Sequence, residues 1–158
     1  MREIVIRAGK VAIRARLLDT PTADRIWRAL PIYASAKTWG REVYFQAPMA
    51  QHLEADARDV VDKGEIAFWP DGDAISIGFG PTPLSKRGEI RLASACNIWA
   101  VALDDVDQLK AVYAGESIEV LEAERQEHRA SVPPPRASGR TSRGRQAARF
   151  SAIEDGKL

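Results

Sequence analysis

Along most of the first 123 residues, apolar and polar positions alternate with a period of two, the signature of half-buried strands. Glu3-Ile4-Val5-Ile6-Arg7 reads as a strand, and Ala8-Gly9-Lys10 as the turn after it. Val11, Ile13, Ala15 and Leu17 then share one face of a second strand, with Arg14 and Arg16 on the other, so the two make a hairpin. The period changes at Thr20-Pro21-Thr22-Ala23. Ala23, Ile26, Trp27 and Leu30 recur at helical spacing, Thr20 is placed to cap, and proline suits the first helical position. Pro31 ends this helix.

Beyond it, Ile32 to Trp39 alternates weakly, and Arg41-Glu42-Val43-Tyr44-Phe45 is a clear strand that stops at Pro48. Glu54-Ala55-Asp56-Ala57 looks helical, while Val60-Val61 looks like the start of a strand. Ile66 to Trp69 and Ala74 to Phe79 form a hairpin around Pro70-Asp71-Gly72-Asp73, where glycine is expected to supply positive φ. The chain then leaves through Gly80-Pro81-Thr82-Pro83-Leu84-Ser85, a loop suited to the rim of a barrel. Asn97 to Leu103 has no polar alternation and reads as a strand buried on both sides. Val106, Leu109, Val112 and Tyr113 predict a second short helix, ended by Gly115, and Glu116 to Ala123 a closing strand. About eight short strands with two short helices fit a mainly β fold, a closed antiparallel barrel or compact sandwich.

Composition divides the chain at residue 123. Residues 124–158 hold eight Arg/Lys against four Asp/Glu and include Pro133-Pro134-Pro135; residues 1–123 hold 15 against 18. The first part is expected to be the domain and the basic, Pro/Arg/Ser-rich segment 124–158 a disordered tail. Any nucleic-acid contact would be weak and made through that tail. With no signal-like apolar core and no run near the ~20 apolar residues of a membrane helix, the expected location is the cytoplasm, with no membrane partner.

Chemistry-bearing motifs are sparse. There is no nucleophile elbow, phosphate loop or dinucleotide fingerprint, so no cofactor is expected and no catalytic residue is assigned. His52 and His128 are the only histidines. Asp71-Gly72-Asp73 is read as a turn rather than a calcium site, so no metal is expected. Cys96, the single cysteine, is read as an inert packed thiol. One polar and aromatic constellation stands out: Glu42, Tyr44, Trp69, Thr82, Arg91, Ser94 and Asn97, with Glu89 nearby. Such a set suits a pocket at the barrel rim. Arg91 could clamp a carboxylate or polarise a carbonyl; alternatively it pairs with Glu42 or Glu89 to pin the loop.

Ordered motifs carry a resemblance. Pro21-Thr22-Ala23, Ile26-Trp27, Leu30-Pro31, Trp39-Gly40-x-Glu42-Val43-Tyr44-Phe45, Gly64 to Pro70, Phe79 to Pro83, Glu89-Ile90-Arg91, Ser94 and Asn97 together resemble the prokaryotic cyclophilin-like family over residues 1–123. The resemblance implies a closed eight-stranded antiparallel barrel capped by helices, and its signature positions add Phe79 to the candidates for lining a pocket. Cyclophilins proper are prolyl isomerases, but their arginine motif and phenylalanine-methionine pocket are not recognisable here. The expected function is therefore binding of a small polar molecule or a short proline-containing peptide. The alternative is a peptidyl-prolyl isomerase of non-standard site, with Arg91 as donor.

Overall fold

A computed structural model describes residues 1–123. The expectation of a disordered tail lies outside the described residues. The first hairpin forms as its alternation requires: β1 (Glu3–Ala8) pairs antiparallel with β2 (Val11–Leu17), Ile6 facing Ile13. Ile4, Ile6, Val11, Ile13, Ala15 and Leu17 all turn to the interior. Helix α1 (Pro21–Ala29) follows. The Thr20 hydroxyl accepts the N–H of Ala23 at 3.0 Å, satisfying one donor that the first helical turn leaves open. Ala23 and Ile26 face the core. Trp27 lies under the Arg2 guanidinium at 5.7 Å, and Arg2 also pairs with Asp24 at 2.9 Å.

Next come β3 (Ile32–Ser35) and the two-residue β4 (Lys37–Thr38). They are followed by β5 (Glu42–Gln46), β6 (Arg58–Val61), β7 (Glu65–Trp69), β8 (Ala74–Gly78), the long β9 (Ile90–Ala102) and β10 (Ser117–Glu122). The main sheet runs β3-β10-β1-β2-β9-β7-β8-β5-β4, and β6 pairs with β9 off this path. Its two ends are consecutive in the chain, since only Ala36 separates β3 from β4. Ala36 itself accepts the N–H of Gly115 at 2.8 Å and donates to Glu116 at 2.7 Å. Residues 32–38 thus act as one bent strand that joins β10 to β5. Counted so, the wall has the eight staves that the sequence predicts, closed but for the bend. Closure leaves the wall without a long free edge.

The interior is filled by alternate residues of every stave, among them Ile4, Ile13, Phe45, Ile66, Phe68, Ile75, Ile77 and Trp99. A second, smaller apolar cluster lies on the other face of the wall: Val61, Ala67, Leu92 and Cys96, with Trp69, Ile90 and Ile98 packed against them. It exists because β9 starts at Ile90, well before the Asn97 start that the sequence suggests. Its first half carries β6 and lies over β8, so every residue of β8 is buried. Gly78 permits this approach, because a Cβ there would run into the Ile90 side chain.

Three local expectations change. Residues 54–57 form a turn rather than a helix, with Ala57 donating to the Glu54 carbonyl at 3.1 Å; the Glu54 side chain and N–H are both bound elsewhere. The second helix is a 3-10 helix (Val106–Ala111) that ends before Gly115. Val106, Leu109 and Val112 recur every third residue, which matches its three-residue turn. At the β7–β8 turn the left-handed residue is Asp73, φ 49°, and not Gly72. Gly72 serves another end: the Trp69 ring lies against it where a Cβ would stand.

Candidate functional site

The alternation that sends Val43 and Phe45 inward turns Glu42 and Tyr44 outward, and Ser76 likewise between Ile75 and Ile77. Together with Trp39, Trp69 and the β9 residues Leu92, Ala93 and Cys96 they line a cavity of about 200 Å³ on the outer wall. Of the eight residues expected to form a site, Glu42, Tyr44 and Trp69 meet here. Ser94 stands one bond behind, accepting the Trp69 indole N–H at 2.6 Å and donating to Asp71 at 3.3 Å. The indole is thereby held between Ser94 and Gly72.

The other four are placed elsewhere by their own partners. Phe79 is 6% exposed and belongs to the barrel core. Thr82 donates to the Arg91 carbonyl and meets Ser85 at 3.2 Å, while the Ser85 hydroxyl accepts the N–H groups of Thr82 and Arg91, both at 2.9 Å. These bonds staple the Pro-rich loop to the start of β9. The Arg91 guanidinium takes Glu89 through Nε at 2.6 Å and Nη2 at 3.2 Å, and Asp59 through Nη1 at 2.8 Å. Glu89 is held below its ordinary pKa, first by that hydrogen bond. Of the two roles open to Arg91, pinning by Glu89 is the one these contacts describe. Asn97 lies across β9 from Cys96 and is fully buried. Its Oδ1 accepts the N–H of Glu54 at 2.8 Å, and its Nδ2 donates to the His52 carbonyl at 2.8 Å and to the Thr22 hydroxyl at 3.1 Å. The cavity accordingly opens on the wall and not at the 79–85 loop of the rim.

Its electrostatics rest on Glu42. The residue is 6% exposed. Oε2 accepts the Ser76 hydroxyl, while Oε1 is buried without a hydrogen-bond partner. Burial raises the Glu42 pKa from its ordinary 4.5, and the Ser76 hydrogen bond opposes that in part. Cys96 is pushed up to about 12, chiefly by burial and then by the charge of Glu42, so the thiol is neutral. The lining residues include no Lys, Arg or His. No cluster of metal-ligating side chains occurs among the described residues. None of the helices there is long and apolar enough to cross a membrane.

Trp39, Ser76, Leu92, Ala93 and Cys96 are lining residues that the sequence did not point to. Ser76 carried a usable signal, a hydroxyl at the outward position between two isoleucines and at the same strand parity as Glu42 and Tyr44. The approach of β9 over β8 carried none.

A closed eight-staved antiparallel barrel, with a helix packed on its core and a polar-floored cavity on its outer wall, defines the class. The family model described as cyclophilin-like matches residues 2–121, and the chain belongs to the cyclophilin-like family. Among solved structures it is similar to a hypothetical protein of Archaeoglobus fulgidus, known from a solution structure. The two are 36% identical with a TM-score of 0.66, over 77% of this chain and 95% of that one. It also shares its fold with McbB, solved in complex with tryptophan. There the identity is 14% and the TM-score 0.57, over 75% of this chain but only 44% of McbB. None of the curated proteins matches the chain.

Proposed function

We propose that this protein is a binding module that takes a small ligand in the outer-wall cavity. One observation carries the reading: Glu42 is buried at the cavity with Oε1 unpartnered. A buried polar atom left without a hydrogen bond costs about 1–3 kcal/mol. Folded chains keep such atoms rarely, and a ligand that donates to Oε1 would relieve the cost. The surroundings support it, since Trp39, Tyr44, Trp69 and Leu92 offer apolar surface around a few polar atoms, the usual make-up of a ligand site. Arg91, the donor that an isomerase reading relies on, does not line the cavity and is engaged by Glu89 and Asp59.

The test is a fragment screen on the full chain, followed by amide chemical shifts. Ligands are expected to perturb β5, β7, β8 and the first half of β9 as one cluster. A screen whose hits scatter over the barrel, or cluster at the 79–85 loop, overturns the reading.

A further inference from the structure

The charge that the cavity lining can carry has one sign, since Glu42 is there and no Lys, Arg or His is. Trp69 has already given its N–H to Ser94, and Ser76 its hydroxyl proton to Glu42. Oε1 of Glu42 and the lone pairs of Ser76 remain as acceptors, and the only donors left on the lining side chains are neutral, the Trp39 indole N–H and the Tyr44 hydroxyl. Around them stand three aromatic side chains, Trp39, Tyr44 and Trp69. Aromatic faces attract cations, and attract them more strongly where water is excluded. The titratable groups that meet Glu42 here are Tyr44 on its own strand and Cys96 on β9; Asp59 and Asp71, further off, add negative field at the Cys96 thiol. A carboxylate or phosphate ligand would meet two neutral donors, but also a carboxyl group, acidic field and no lining cation to balance its charge.

We propose that the ligand is a small organic cation bearing N–H, a primary ammonium on a short apolar chain. Its nitrogen donates to Oε1 of Glu42 and its charge lies against the aromatic walls. This rests on the reading of the cavity as a ligand site and reverses the ligand charge that an Arg91 clamp would select. About 200 Å³ accommodates a short chain of this kind and excludes a nucleotide. A raised Glu42 pKa fits the same picture, since a dry carboxyl without a counter-charge prefers its proton and an incoming cation would displace it.

The full chain is titrated at pH 8 with butylammonium, with the isosteric neutral butan-1-ol, and with pentanoate. Binding is read from the Trp39 and Trp69 indole signals and the Tyr44 and Ser76 amides. Butylammonium is expected to bind at least about tenfold more tightly than butan-1-ol, with no pentanoate binding, and Glu42→Gln should erase that difference. Its affinity should also fall on acidification, as Glu42 takes up its proton. Equal binding of butylammonium and butan-1-ol, or tighter binding of pentanoate, overturns the cation assignment and leaves the cavity as a ligand site. Failure of all three probes to move the lining residues overturns the cation assignment too; whether the cavity reading falls with it is decided by the fragment screen. The comparison is made within the wild-type chain, so it stands even if Glu42→Gln folds poorly.

Discussion

Asn97 Oδ1 accepts the backbone N–H of Glu54 at 2.8 Å, across 43 positions of sequence. The same amide holds His52 and Thr22, and Glu54 in turn accepts the N–H and hydroxyl of Thr22 in the first turn of α1. One buried side chain thereby ties the 51–57 segment, the helix and the wall together. Asn97→Ala should destabilise the domain by about 3 kcal/mol, since it strands several buried partners at once. Urea unfolding measures the loss. Hydrogen exchange should show it first at residues 51–57, and a variant within ~0.5 kcal/mol of wild type would contradict this role.

Glu42 sets a pH dependence. Its folded-state pKa is raised above 4.5 by burial, so the folded chain holds this proton more tightly than the unfolded chain. Below the unfolded value both states are protonated and the contribution to stability is complete. As pH climbs through the folded-state value the carboxyl ionises in a dry site, and that contribution is lost. Glu42→Gln, which cannot ionise, should therefore raise Tm relative to wild type at pH 8 by more than at pH 4. A constant difference across that range would show that ionisation of Glu42 plays no part.

Cys96 should be silent in the native state. With a pKa pushed up to about 12, roughly one thiol in 10⁴ is ionised at pH 8, and the thiolate is the reactive form. Iodoacetamide should label the chain only as fast as it unfolds, with a rate that follows urea concentration. Rapid labelling without denaturant would require an open route to Sγ.

Arg91→Ala separates the two roles that the sequence leaves open for this residue. The Glu89 and Asp59 contacts are partly exposed ion pairs, so the variant should cost a modest amount of stability that shrinks as salt is added. Ligand-induced shifts at Tyr44 and Trp69 should be unchanged. A variant that loses binding at the cavity would return Arg91 to the site.

The staves were legible in the sequence because a closed barrel with one packed interior imposes strict alternation, as Val11 to Leu17 and Val43 to Phe45 display. The cap of α1 was legible for a similar reason, since Thr20 and Pro21 act through local backbone geometry. Outward partners were harder to read. Glu42, Tyr44 and Trp69 converge because β5, β8 and β7 are neighbours, and Trp39 joins them. Leu92 and Cys96 reach the same place through the extension of β9 over Gly78, a tertiary event with no periodic mark. Thr82, Arg91 and Asn97 have the chemistry of ligand contacts, and the structure spends that chemistry on holding loops.

The Ile90–Gly78 approach has a consequence for how such a cavity can change over time. Its walls are strand positions in a hydrogen-bonded register, and Trp39 alone comes from a connecting segment. Insertions in the 47–57 or 80–89 loops would leave the cavity's outline intact, whereas a one-residue slip of β9 against β7 would erase it. Under the proposed binding role, ligand preference would drift through single side-chain exchanges at fixed addresses, with the barrel acting as an unvarying mount.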